Sequence, residues 1–197
     1  MNKSFTENLN MNGHLTISKI SNGEEEIIFD EKNVIVSGFG VGMAYLFSRQ
    51  GSTNIIDYQI DRFQLGVSGN SGAQVSSTFQ LSSSLTSIDQ YTTTGLDSNL
   101  FAFTGTQIKN GANANSVFCK IPFTKVTRVD DRSVRYTIFI DEDSCNNLSS
   151  LNEIGLFMKN PRGDANDASI LVAYRYFTNI QKTSDFGLMF RWTISFG

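Results

Sequence analysis

Residues 187–196 read GLMFRWTISF, and apolar side chains occupy every second position of this stretch. A period of two places successive side chains on opposite faces of a β-strand, so the stretch predicts a strand with one face in a core. A strand this apolar is expected to lie centrally in its sheet or to be covered by a partner. Its apolar face comprises Leu188, Phe190, Trp192, Ile194 and Phe196, and its other face Met189, Arg191, Thr193 and Ser195.

The same alternation recurs in SVRYTIFID (133–141), after a reversal that Asp130 and Asp131 supply. Its predicted inner face comprises Val134, Tyr136, Ile138 and Ile140. The Ser21-Asn22-Gly23 turn joins two further strands into a hairpin. Pro122 argues for an edge or a bulge in the strand predicted over 117–129. The other predicted strands cover 14–20, 24–36, 62–69, 101–103, 152–158 and 169–177.

Helices are expected to be scarce, because Ser, Thr and Asn fill 57 of the 197 positions and Ala only eight. The exception is GFGVGMAYLFSRQ (38–50), in which Val41, Ala44, Tyr45 and Ser48 recur at helical spacing. Its GFGVG start lacks the glycine spacing of a dinucleotide fingerprint, and we interpret it as a tight passage from strand to helix. The fold class predicted is all-β: an antiparallel β-sandwich, jelly-roll or immunoglobulin-like, with one short helix around residues 38–50.

A chain of 197 residues with 40% hydrophobic content can enclose one core. We therefore expect a single domain over residues 13–197, with a long polar excursion at about 69–99. Residues 1–12 have few apolar anchors and are interpreted as an arm that either frays or orders against a neighbouring subunit.

The net charge of −3 is spread along the chain, without the basic stripe that a phosphate backbone requires. No apolar run approaches the roughly 18 residues that would cross a bilayer, and no signal pattern opens the chain. Neither a nucleic-acid nor a membrane partner is expected. The chain is expected to be made in a cytoplasm. Cys119 and Cys145 are too few for a disulfide scaffold; two free thiols or one bridge between neighbouring strands both remain open.

No catalytic, cofactor-binding or metal site is predicted. His14 is the single histidine, without nearby partners for catalysis. The acidic run 141–143 and the loop 164–167 do not match a calcium-binding loop. Arg162-Gly163-Asp164 spells an adhesion tripeptide, which a turn at Pro161 and Gly163 explains as well.

Aromatic residues are abundant, with 16 Phe, six Tyr and one Trp, and such side chains either fill cores or anchor interfaces. Most are expected in the core. The residues predicted at subunit contacts are Phe5 in the arm, Phe79 and Tyr91 in the polar excursion, and Arg162 and Asp164 in the protruding loop.

Three passages together resemble a known family: RFQLGVSGNSG (62–72), LNEIGLFM (151–158) and ILVAYRYFTNIQKTSDFGLMFRWTISF (170–196). Tail-collar fibre and related tail proteins of tailed-bacteriophage virions have the same order of features. A strand that ends in glycine comes first, and an "NEvGLF" strand follows it. An apolar segment, a lysine and a final β-strand then complete the pattern. The resemblance covers about two thirds of the chain, from Phe63 onward. The matching positions are Leu65 to Gly69, Asn152 to Phe157, Leu171 to Tyr176, and Lys182.

The resemblance implies a non-enzymatic virion structural protein, a multi-copy assembly subunit of the neck or collar, tail or baseplate. Its partners would be other virion proteins and copies of itself, in a homo-oligomer or ring. Collar-fibre proteins usually continue into repeats or a receptor-binding tip, which this chain lacks after Gly197, so a compact adaptor, collar or decoration subunit is expected.

Three alternatives remain at this stage. One is a receptor- or carbohydrate-binding β-sandwich, an adhesin whose exposed Tyr or Trp stacks on sugars. Another is a capsid decoration protein. The third is a hydrolase that uses Glu153 and Asp141 as a carboxylate pair.

Overall fold

The computed structural model describes residues 11–35, 37–48, 54–66, 91–92, 101–103, 106–110, 116–120, 125–143, 145–146, 150–158 and 169–197. The described residues include one α-helix, α1 (Ser37–Ser48), and one 3₁₀ helix (Ile55–Tyr58). The other elements are β-strands. The strands are β1 (Met11–Ser21), β2 (Glu24–Ile35), β3 (Ile60–Gly66), β4 (Tyr91–Thr92), β5 (Phe101–Phe103), β6 (Thr106–Asn110), β7 (Ser116–Lys120), β8 (Val126–Arg128), β9 (Ser133–Ile140), β10 (Ser150–Met158), β11 (Ser169–Gln181) and β12 (Gly187–Phe196).

Every strand pairing in the described residues is antiparallel, and the strands form two sheets that share β2. The first sheet has the order β2-β1-β12-β9-β8. The second runs β2-β11-β10-β3-β7-β6-β5, with β4 also paired to β11. The sheets join where Val34 and Ile35 at the end of β2 pair with Tyr174 and Ala173 of β11. The predicted all-β antiparallel sandwich with one short helix is confirmed.

Both sheets direct their apolar faces into one core. The first sheet contributes Leu15, Ile138 and Trp192, each at most 3% exposed, and the second contributes Leu156 and Phe177. The predicted inner face of β12 is confirmed: Leu188, Phe190, Trp192 and Ile194 are fully buried, and Phe196 is half-buried. β12 lies between β1 and β9, in the centre of its sheet as expected.

The β1–β2 hairpin forms as the Asn-Gly turn predicts. Asn22 and Gly23 both have positive φ, 54° and 82°, which is the geometry of a two-residue turn matched to the twist of a hairpin. β1 begins at Met11, so Met11 and Asn12, which the sequence assigned to the arm, pair with Phe196 and Ser195. Residues 1–10 and the excursion at 69–99, apart from β4, lie outside the described residues.

Helix α1 follows β2 after one residue, which confirms the tight passage from strand to helix. The predicted helix around 38–50 is confirmed; Ala44 and Ser48, two of the residues at helical spacing, are exposed, while Phe39 and Gly42 are buried. A side chain at Gly42 would place its Cβ 2.2 Å from Sδ of Met158, so the absent side chain lets the helix lie against β10. The helix is apolar all round, and its spacing therefore selects no face.

The single strand predicted over 117–129 is wrong. β7 belongs to the second sheet, between β3 and β6, whereas β8 pairs with β9 in the first. The chain therefore changes sheet between Lys120 and Val126. The reversal at Asp130 is confirmed: Val129 N donates to Ser133 O at 2.8 Å, and Arg132 N donates to Asp130 Oδ1 at 2.7 Å.

Candidate functional site

An apolar groove lies at the end of the sandwich that α1 covers. Its helix side is formed by Phe39, Met43 and Phe47, and its sheet side by Met11, Tyr136 and Phe196. The groove has a volume of about 650 Å³, and none of its lining residues is charged. Its size and lining are those of a binding site rather than of a packing defect.

Elements distant in sequence build this groove. The start of β1 and the end of β12 pair through Met11 and Phe196, and Phe39 of α1 packs on the Phe196 ring with centroids 6.0 Å apart. Tyr136 lies on the core face of β9 and is only 7% exposed. The apolar groove is thus a gap in the core that remains open beside α1.

Tyr136 is the most deeply buried of the polar side chains that line this groove, which also include Tyr58 and Gln59. Its hydroxyl has no hydrogen-bond partner in the described part of the chain. Burial raises the pKa of Tyr136 to about 12, so the side chain is neutral at physiological pH. It can donate one hydrogen bond and accept others from whatever enters the groove.

Exposed apolar residues stand beside the groove. Phe47, on the last turn of α1, is 77% exposed, and Ile55 on the 3₁₀ helix is 62% exposed. α1 contains no charged residue along its whole length. A helix that is apolar on every face is normally covered, and α1 leaves one face to solvent.

Lys182, which follows β11, is 1% exposed. Its Nζ donates to Thr183 O at 2.7 Å, Asn146 Oδ1 at 2.9 Å and Glu142 O at 3.1 Å. Burial lowers the pKa of Lys182 below its usual range, although the nearby thiol and carboxylates oppose that shift. With all three donors used, the ammonium group fixes the turn after β9 to the end of β11.

Cys145, beside this lysine, carries a free thiol whose pKa burial raises to about 11. The bridge to Cys119 that the sequence left open is therefore not formed. A thiol with so high a pKa is protonated at neutral pH and is a poor nucleophile.

Glu153 is fully buried in β10, between β3 and β11, and accepts a hydrogen bond of 3.0 Å from Tyr174 Oη. The hydrolase alternative needs a carboxylate that a substrate can reach, and Glu153 is enclosed. The sugar-binding alternative needs an exposed aromatic side chain, and Trp192 cannot be that side chain because it is fully buried.

His14 does have a carboxylate partner, contrary to the sequence-based expectation. Its Nε2 lies 2.8 Å from Asp30 Oδ1, and Thr16 Oγ1 donates to the same oxygen at 2.7 Å. Both bonds lower the pKa of Asp30, and the bond from Thr16 has the larger effect. The Thr16 hydroxyl bonds to Asp30 and not to the imidazole, so the cluster lacks the hydroxyl–imidazole contact of a nucleophile activated by histidine.

Most residues predicted at subunit contacts cannot be located. Phe5, Phe79, Arg162 and Asp164 lie outside the described residues, and of Tyr91 the structure describes only the backbone, in β4. The sequence analysis missed Phe47 and Tyr136 as site residues. The signal available for Phe47 was the absence of charge along residues 37–48.

The described ranges contain no cluster of three or more His, Cys, Asp or Glu side chains that could hold a metal ion. No helix among them is long and apolar enough to span a membrane.

No protein-family model, no curated protein and no solved structure matches this chain.

Proposed function

We propose that this chain is a non-enzymatic structural protein of a tailed-bacteriophage virion, a multi-copy subunit that acts through protein–protein contacts. The resemblance of residues 62–72, 151–158 and 170–196 to tail-collar fibre proteins motivates the class. The neck or collar, the tail and the baseplate are the locations that this class offers, with other virion proteins and copies of the same chain as partners.

The observation that carries the proposal is the apolar groove beside α1 with Phe47 exposed at its edge. Exposed apolar surface of this kind marks protein–protein contact sites on soluble proteins. Aromatic and Met side chains, which form both sides of the groove, are enriched at such sites. An assembly subunit needs a surface of this type, and it needs no catalytic constellation.

The residues that carry the resemblance support a structural role. Glu153 and Tyr174 bond to each other inside the second sheet, and Lys182 holds a turn in place. Residues with these contacts stabilise a scaffold.

Mass spectrometry of density-purified particles from the phage or prophage whose genome encodes this chain tests the proposal. We expect the chain in the particles at several copies each, and immunogold labelling should place it at the neck, tail or baseplate. Its absence from intact particles would overturn the virion role. Labelling spread over the capsid would indicate a decoration protein, and binding of glycans by the isolated monomer would favour the adhesin.

A further inference from the structure

Lys182 and Asn146 carry an amine and an amide that lie side by side. Lys182 Nζ is 2.9 Å from Oδ1 of Asn146, and a carbonyl bond of about 1.2 Å places the amide carbon within about 4 Å of that nitrogen. A small shift brings the two atoms to the roughly 3–3.5 Å at which reacting atoms are aligned for attack. The lysine, only 1% exposed, is enclosed with its neighbour and away from bulk water.

The amide nitrogen of Asn146 is also held in place. Its Nδ2 donates to Glu142 O at 2.7 Å, and Lys182 Nζ donates to the same oxygen at 3.1 Å. Cys145, the residue before Asn146, has a positive φ of 64°, which is uncommon for a residue other than glycine. Backbone conformations of this kind are concentrated at functional sites.

A carboxylate near the pair can move protons between the two nitrogens. Oδ1 of Asp141 is buried and has no hydrogen-bond partner in the described part of the chain. Asp141 also acts electrostatically on Lys182, so its carboxylate lies near the ammonium group. A buried polar atom without a partner calls for an explanation, and a role in proton transfer supplies one.

The lysine must lose a proton before it can attack. Burial lowers the pKa of Lys182 and so favours the neutral amine, although the Cys145 thiol and the nearby carboxylates oppose that shift. The surroundings of this lysine therefore act in the direction that a nucleophilic amine requires.

We propose that Lys182 and Asn146 form an intramolecular isopeptide bond, with Asp141 as the group that transfers protons. The bond between Lys182 Nζ and Cγ of Asn146 forms, and the bond between Cγ and Nδ2 breaks. Asp141 carries two protons in turn from Nζ to Nδ2, which leaves as ammonium, and the carboxylate ends ionised as it began. The step requires no oxidant, reductant or co-reactant. The hydrogen-bonded pair of the structure is the arrangement before the reaction.

The bond joins the turn after β9 to the end of β11 and closes a covalent loop that contains β10 and β11. Such a cross-link restricts the unfolded chain, as a disulfide does. Unlike a disulfide, it forms without an oxidising compartment, because no electrons are exchanged. The proposal does not depend on the virion role.

Intact-mass spectrometry of the purified full chain tests the proposal. After incubation for several days at neutral pH, we expect a mass lower than that of the sequence by one ammonia molecule. Trypsin should then release residues 136–159 joined to residues 176–191, since it does not cleave after a lysine whose amine is acylated. An unshifted mass would overturn the proposal. An ammonia loss that maps to a succinimide, without the joined peptides, would overturn it as well.

Three variants then test the roles of the residues. Lys182→Arg keeps a positive charge but cannot form the amide, so it should retain the full mass. Asp141→Asn should form the bond more slowly by about 100-fold or more, because it cannot transfer the protons. Lys32→Arg, at an exposed lysine of β2, is the matched control and should react at the rate of the unsubstituted chain.

Circular dichroism checks that each variant is folded. An ammonia loss with joined peptides in Lys182→Arg would contradict the assignment of the nucleophile, and an unchanged rate in Asp141→Asn would contradict the assignment of the proton carrier. If Lys182→Arg does not fold, the mass and the joined peptides of the unsubstituted chain decide whether the bond forms.

Discussion

Lys182 Nζ donates a hydrogen bond of 2.9 Å to Asn146 Oδ1, and this contact joins the end of β11 to the turn that follows β9. Asn146 in turn donates through Nδ2 to Glu142 O at 2.7 Å, and Glu142 O also accepts from Lys182. One buried ammonium group therefore ties the turn after β9 to the end of β11. Lys182 is among the positions that carry the resemblance to tail proteins, and its contacts explain structurally why a lysine stands at this position.

Replacing Lys182 by Met should destabilise the fold by about 2–4 kcal/mol, because three hydrogen bonds from a charged donor are lost. Urea denaturation followed by circular dichroism measures the change. Lys32→Met on the exposed face of β2 is the control and should stay within about 0.5 kcal/mol of the unsubstituted chain. Equal denaturation midpoints for the two variants would contradict the role assigned to Lys182.

The pair formed by Glu153 and Tyr174 should show coupling in a double-mutant cycle. Tyr174→Phe and Glu153→Gln each remove part of a buried hydrogen bond, and each should cost about 1–3 kcal/mol of unfolding free energy. The double variant should be less destabilised than the sum of the two by about 1 kcal/mol or more. Strict additivity would mean that the two residues act independently.

The strands could be predicted from the sequence wherever one face is buried and the other polar. β9 and β12 show that alternation clearly, and their buried faces are those that the pattern indicates. β7 and β8 could not be separated in the same way, because strands in either sheet have the same period. The sequence pattern identifies a strand and does not say which sheet it joins.

The contact between His14 and Asp30 could not be predicted from the sequence, because a β-bulge changes the register of the β1–β2 pair. Counting outward from the Asn22-Gly23 turn places Ser18 opposite Ile27, and continued counting would set Asp30 opposite Leu15. The register shifts after Ser18, so that Asp30 lies opposite Thr16 and near His14. A slip of one residue moves side chains to the other face of a strand, and no simple sequence rule gives the position of a bulge.

The apolar groove could not be predicted from the sequence for a different reason. It requires Met11, Phe47, Tyr136 and Phe196 to meet, and these residues come from four separate parts of the chain. Periodicity reports the face of each element and gives no information on how completely two sheets and a helix fill the space between them. The cavity is therefore a property of packing that only the structure reveals.

Trp192→Ala should reduce the unfolding free energy by about 3–5 kcal/mol, because the indole is fully buried in the core between the sheets. Thermal or urea unfolding by circular dichroism measures it. Phe47→Ala is the matched control, as an aromatic residue that is 77% exposed, and at concentrations where the protein is monomeric it should change stability by less than about 0.5 kcal/mol. A loss below about 1 kcal/mol at Trp192 would mean that β12 does not present this face to the core.

Tyr136 should make the stability of the fold depend on alkaline pH. Its pKa is about 12 in the folded state against an ordinary 10, because burial disfavours the phenolate. Below about pH 10 the hydroxyl is neutral in both states and the contribution is complete. As the pH rises from about 10 to 12 the unfolded chain releases this proton first, so the folded state loses stability, by about 2–3 kcal/mol at most.

The Tyr136→Phe variant isolates this contribution. Near pH 9 it should be as stable as the unsubstituted chain, because the hydroxyl that it removes has no partner among the described residues. Above pH 10 it should lose less stability than the unsubstituted chain, and the two denaturation curves should separate as tyrosinate absorbance rises. If both proteins lose stability in parallel over this range, Tyr136 is solvated in the folded state and the groove is wetter than its apolar walls indicate.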